Sequence, residues 1–140
     1  MKFDHIGIVT GDMAQGRAML AAAFGIRSWT REFRDEGIGV IVQFGRDQSG
    51  VCYELVAPLG DASPVSRVLA DGVNVIHHVA YLTADLQNEA KRLRRGGFVV
   101  IGPARSAAAY SGARVQFFAS ETRMLFEFIE APEHVHAFVD

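Results

Sequence analysis

Two kinds of hydrophobic spacing alternate along the chain. Phe3 to Val9 is a short β-rich run, followed by Thr10-Gly11-Asp12, which predicts a strand, a turn and a helix N-cap. Met13, Arg17, Leu20 and Phe24 then recur at helical spacing, with Gly25 as the natural stop and Gly16 weakening the helix by up to about 1 kcal/mol. Trp29 to Phe33 reads as a strand, Arg34-Asp35-Glu36-Gly37 as a turn, Ile38 to Phe44 as a strand and Gly45 to Gly50 as a polar loop. Val51 to Val56 closes this first β-α-β-β-β unit, with Cys52, Glu54 and Val56 on one face.

The same order returns. Ala57 to Gly72 connects the units, with Ser63-Pro64 predicted to open a short helix carrying Val65, Val68 and Leu69 and Gly72 to end it. Val75 to Leu82 reads as a strand, and Asp85 as the cap of a helix with Leu86, Ala90 and Leu93 inward. Arg92, Arg94 and Arg95 suit that helix's C-terminal end, and Gly96-Gly97 stops it. Phe98 to Ile101, Ala113 to Phe118 and Met124 to Ile129 read as strands, and Gly102 to Gly112 as a loop. Residues from Ala131 onward form a tail that the pattern does not assign, His134 and His136 included.

One offset relates the halves. His5 falls on His78, Thr10 on Thr83, Asp12 on Asp85, Leu20 on Leu93, Val42 on Val115, Gln43-Phe44 on Gln116-Phe117, and Glu54 on Glu127. A fixed period of about half the chain signals two copies of one supersecondary unit. The expectation is one domain over 1–140, with module one about 1–58, a connector about 59–73, module two about 74–131 and a tail 132–140.

Composition narrows the chemistry. The 140 residues are 49% hydrophobic, enough for a sizeable core, and the net charge of −2 points away from nucleic acid and anionic membranes. A small-molecule partner is expected. The start carries no long apolar run and no stretch is long enough to span a bilayer, so a cytoplasmic location is expected. The single cysteine, Cys52, agrees with a reducing compartment and reads as a small buried hydrophobe.

The recurring polar residues carry the chemistry. A histidine on an apolar strand face is usually a packed core residue, and a buried glutamate usually sits in an ion pair. Neither explains why the same pair recurs. If a pseudo-twofold brings the first strands together, His5, Glu54, His78 and Glu127 form an N₂O₂ set suited to Zn, Ni, Co, Mn or Fe. The two carboxylates would balance the charge of the dication, and an open coordination position would make the ion a Lewis acid.

Several segments carry a resemblance: Asp4-His5-Ile6-Gly7-Ile8, Tyr53-Glu54-Leu55-Val56-Ala57-Pro58-Leu59-Gly60, Ser63-Pro64-Val65, His77-His78-Val79-Ala80 and Leu125-Phe126-Glu127-Phe128. Over nearly its whole length the chain resembles the vicinal oxygen chelate superfamily, and within it most the methylmalonyl-CoA epimerases. The resemblance implies an α+β fold of two pseudo-symmetric βαβββ modules forming a cupped mixed sheet around the metal. It also makes His5, Glu54, His78 and Glu127 the ligands of one divalent ion, and it implies a homodimer.

The function expected is a metal-dependent isomerase or epimerase stabilising an enolate-type intermediate on an acyl-CoA or another α-acidic carbonyl compound. Glu127 or Glu54 is the group expected to take the proton. The alternatives are a glyoxalase-I-like lyase using the same ligands, or a non-catalytic binding or resistance protein. Gln43, Tyr53, Tyr110, Arg114 and Gln116 are candidates to line the cup, and Arg31 and Arg34 could meet an anionic substrate. Epimerisation needs proton delivery from both faces of a carbon. Where some epimerases carry a second carboxylate, this chain has Val40 and Ile41.

Overall fold

The computed structural model describes residues 1–69 and 75–139. Among them are nine strands and two helices: β1 (Lys2–Val9), α1 (Met13–Phe24), β2 (Ser28–Trp29), β3 (Phe33–Asp35), β4 (Val40–Arg46), β5 (Cys52–Pro58), β6 (Val75–Leu82), α2 (Leu86–Arg95), β7 (Val99–Ser106), β8 (Arg114–Ala119) and β9 (Leu125–Ile129). The fold is α+β, with parallel and antiparallel strand pairs. The chain divides into two compact units. An amino-terminal unit comprises His5–His77 and Val135–Asp140, and a carboxy-terminal unit comprises Met1–Asp4 and His78–His134.

In the amino-terminal unit the strand order is β2-β4-β5-β1, with β3 also on β4. Asp12 starts α1 by accepting from the Gln15 N–H, and Gly25, at φ 68°, ends it in the left-handed region that glycine tolerates best. Leu20, Met13, Ile8, Ile26 and Leu55 pack between helix and sheet. Gly16 allows that approach, since a Cβ there would come within 3.1 Å of both Leu55 methyls and of the Thr10 methyl. Phe24, at the end of the predicted stripe, is half exposed and stacks on Tyr53 instead.

The expected single strand over Trp29 to Phe33 is two short strands. Thr30 breaks it: its Oγ1 accepts the Phe44 N–H at 3.1 Å, and the Phe44 carbonyl accepts the Thr30 N–H at 2.9 Å. A side-chain oxygen thus takes a ladder position that backbone would otherwise fill. The following turn lies later than predicted, because Asp35 ends β3 and accepts from the Ile38 N–H.

The carboxy-terminal unit has the order β6-β9-β8-β7. Asp85 caps α2 through the Asn88 N–H, and Leu86, Ala90 and Leu93 pack on Phe118 and Phe128. The first part of the predicted loop, Gly102 to Ser106, is strand, and the remainder is not. Gly102, at φ 72°, sits in an irregularity between Ile101 and Arg105, after which β7 resumes pairing with β8. A one-turn 3-10 helix, Ala108–Tyr110, follows.

The offset of 73 survives at atomic detail. Thr10 N–H donates to the Val56 carbonyl at 2.9 Å, and Thr83 N–H to the Ile129 carbonyl at 2.8 Å. The predicted helix after Ser63 is a run of turns, with Ser66, Val68 and Leu69 each bonding only three residues back. Its predicted end at Gly72 lies outside the described residues. No described helix is long and apolar enough to cross a membrane.

Candidate metal centre

The amino-terminal unit builds one His–Glu pair. Parallel pairing of β1 with β5 sets Gly7 opposite Glu54, and β4 sets Phe44 opposite Glu54 from the other side. His5 is wholly buried and Glu54 nearly so, with His5 Nε2 3.4 Å from Glu54 Oε1. The wholly buried Phe44 ring meets the His5 ring edge-on at 5.4 Å. It limits how far the imidazole can rotate.

The carboxy-terminal unit repeats the construction. Ala80 lies opposite Glu127 across β6 and β9, and Phe117 opposite Glu127 across β8 and β9. His78 and Glu127 are both buried, with Nε2 3.5 Å from Oε1, and Phe117 meets His78 edge-on at 5.1 Å.

The donor chemistry of each pair fits a divalent cation. Two ligands held about 2.1 Å from one ion at a tetrahedral angle lie about 3.4 Å apart. Both pairs show that separation between an imidazole nitrogen and a carboxylate oxygen. Each of the four residues offers one ligand atom.

The other predicted residues are placed differently. Gln43 pairs across the ladder with Leu55, and Gln116 with Phe128. Leu55 and Phe128 belong to the cores under α1 and α2. Paired side chains share a face and neighbours along a strand alternate. Both glutamines therefore lie on the helix side, opposite to the donor pairs, and the expectation that they line the same cup as the donors is corrected.

Gln43 is clamped there: its amide donates to the Thr30 carbonyl at 2.6 Å and accepts from Arg17 Nη1 at 2.8 Å. Gln116 donates to the Gly102 carbonyl at 3.0 Å. Arg114 pairs with Glu130 at 3.1 Å and, with Gln116, Lys91 and Arg94, borders a hollow of about 340 Å³ beside α2. The Leu86 N–H bonded to Glu130, aided by Arg114, holds the Glu130 carboxyl below the usual carboxylate range.

Tyr110 is buried in the carboxy-terminal unit, where its hydroxyl donates to Asp4 Oδ2 at 2.5 Å and its ring meets His134 at 4.6 Å. Tyr53 stacks on Phe24, and burial, then the negative charge of nearby Asp47, raises its phenol pKa. Arg34 bonds Glu36 at the surface, and the Arg31 guanidinium stacks on Phe33.

Two features escaped the sequence reading. Phe44 and Phe117 wall the two histidines, and the signal was present in the recurring Gln-Phe dipeptide. The tail is the other. His136 stacks on Phe44 at 4.1 Å, Phe138 lies under the Arg46 guanidinium at 4.4 Å, and Val139 forms an antiparallel bridge with Trp29.

No match is found among curated protein sequences. Solved structures share the fold. The chain is similar to methylmalonyl-CoA epimerase from Mycobacterium tuberculosis at 22% identity and TM-score 0.76, covering 91% of this chain and 86% of that one. It is similar to a hypothetical protein from Bacillus halodurans at 23% identity and TM-score 0.80, covering 97% and 98%. It is also similar to a variant Streptomyces coelicolor methylmalonyl-CoA epimerase in complex with 2-nitronate-propionyl-CoA, at 24% identity and TM-score 0.74, covering 92% and 96%. The model of the glyoxalase/bleomycin resistance protein/dioxygenase superfamily matches residues 4–117, a span that takes in His5, Glu54 and His78. With the repeated His–Glu strand pairs and the βαβ order of each half, that match makes this chain a member of that superfamily.

Proposed function

We propose that His5, Glu54, His78 and Glu127 together hold one divalent cation, of the group Zn, Ni, Co, Mn or Fe, and that the protein is an isomerase or epimerase acting α to a carbonyl. The observation that carries this reading is the repeated separation of 3.4 and 3.5 Å between buried imidazole nitrogen and carboxylate oxygen. Burying two carboxylates without compensation costs several kcal/mol per ion, and a shared dication offsets it.

The ion would supply positive charge beside the substrate's carbonyl oxygen as negative charge develops there. The chain's own residues do the remainder. His5 and His78 are held edge-on by Phe44 and Phe117, which keeps Nε2 of each aimed at its glutamate. Glu127, or Glu54, would take a proton from the carbon next to the carbonyl.

An acyl-CoA is the substrate class we favour, supported by the Streptomyces coelicolor neighbour that holds 2-nitronate-propionyl-CoA. A glyoxalase-I-like lyase would use the same four donors. A homodimer and a cytoplasmic location are consistent with this reading. The test is twofold: metal analysis of protein purified without chelator, and incorporation of solvent deuterium into methylmalonyl-CoA. One ion per chain with metal-dependent deuterium uptake is expected. A metal-loaded protein that converts methylglyoxal and glutathione but leaves the acyl-CoA untouched would favour the lyase.

A further inference from the structure

Interconverting two epimers requires a proton to leave one face of a carbon and another to arrive at the opposite face, so two proton carriers must flank the substrate. On the donor-bearing face of β4, Val40, Val42 and Phe44 can carry none. The tail supplies a candidate.

Residues 135–139 lie in the amino-terminal unit, with exposed Val135, Ala137 and Val139 alternating with half-buried His136 and Phe138. The inward pair follows the strand beneath: His136 rests on Phe44, and Phe138 on Arg46 two residues further along β4. Val139 anchors the end, donating its N–H to the Trp29 carbonyl at 2.7 Å. Phe44 is the same ring that meets His5 edge-on at 5.4 Å and faces Glu54 in register. The His136 imidazole is thus held one aromatic ring away from the first donor pair, on the donor side of the strand.

We propose that His136 is the second proton carrier of the reaction, serving the substrate face that the glutamate does not reach. This rests on the epimerase reading given above. In one direction a glutamate carboxylate removes the α-proton and the C–H electron pair passes into the enolate. The His136 imidazolium N–H then protonates the same carbon from the opposite face as the enolate electron pair forms the new C–H bond; the glutamic acid releases its proton to solvent and the neutral imidazole takes one up from solvent. In the other direction the roles exchange. Imidazole suits the task because one ring nitrogen can hold a proton while the other accepts one.

The test compares the metal-loaded protein with His136→Gln and His136→Ala, using methylmalonyl-CoA of each epimer in deuterated water. The expected result is unchanged metal content, deuterium exchange into one epimer without inversion, and interconversion slowed at least about 100-fold. Added imidazole should restore part of the His136→Ala rate. A readout independent of turnover is the His136 ring resonance, which should shift when 2-nitronate-propionyl-CoA is added. Phe138→Ala, which removes the tail's contact with Arg46 and keeps the His136 side chain, should slow interconversion more than exchange.

Interconversion by His136→Gln within about threefold of the unaltered protein overturns the proposal. So does equal loss of exchange and interconversion, or a ring resonance that ignores the analogue. An unaltered protein that binds metal yet neither exchanges nor interconverts the thioester overturns the epimerase reading, and His136's role falls with it. That result is separable, because it appears before any substitution is made.

Discussion

The Phe44 ring meets the His5 imidazole edge-on at 5.4 Å, and 73 residues later Phe117 meets His78 in the same way at 5.1 Å. A ring whose edge abuts an imidazole fixes its orientation without competing for its nitrogens. Phe44→Leu and Phe117→Leu should each lower divalent-metal affinity about tenfold, the size usual for losing support behind a ligand. Titration calorimetry checks this, and an affinity unchanged in both would show the rings to be packing alone.

Removing a donor should do more. His78→Ala or Glu54→Gln is expected to reduce affinity by more than the aromatic substitutions, at least about 100-fold. Chelator should lower the melting temperature of the unaltered protein and leave that of the double His5→Ala, His78→Ala variant unmoved. Differential scanning calorimetry with and without chelator provides the measurement. Equal chelator sensitivity in both proteins would place the ion elsewhere.

Gly45 lies under the Trp29 ring, where an added Cβ would come within 2.7 Å of Cζ3 and 2.9 Å of the Ile26 Cγ2. Gly45→Ala therefore forces ring or strand to shift, and should destabilise the protein by about 1–3 kcal/mol. Denaturant unfolding measures it. A neutral effect would mean that β2 moves freely against β4.

Glu130 gives a pH prediction. The Leu86 N–H and Arg114 lower its folded-state pKa, so the unfolded chain binds the proton more readily. Its stabilising contribution is therefore full above the ordinary carboxylate pKa and is lost as pH falls through the lower, folded-state value. Glu130→Gln should cost about 1 kcal/mol at neutral pH and show less loss of stability on acidification than the unaltered protein. Unfolding measured at several pH values checks the sign.

Much of this architecture was legible because its signals are local. Asp12 and Asp85 cap their helices through the N–H three residues on, and Gly25 needs only its own backbone freedom to end α1. The duplication needed nothing beyond counting, and it picked out His5, Glu54, His78 and Glu127 before any coordinates.

What the sequence could not determine was register. Whether Gln43 or Phe44 stands beside Glu54 depends on how β4 slides against β5, and a one-residue slip reverses every side chain. The ladder chose Phe44. Likewise the Thr30 hydroxyl split a strand only because folding set it against Phe44, and His136 acquired a neighbour only when the tail met β4. Periodicity and capping are written in neighbouring residues, whereas contacts between distant segments exist only once the chain has closed on itself.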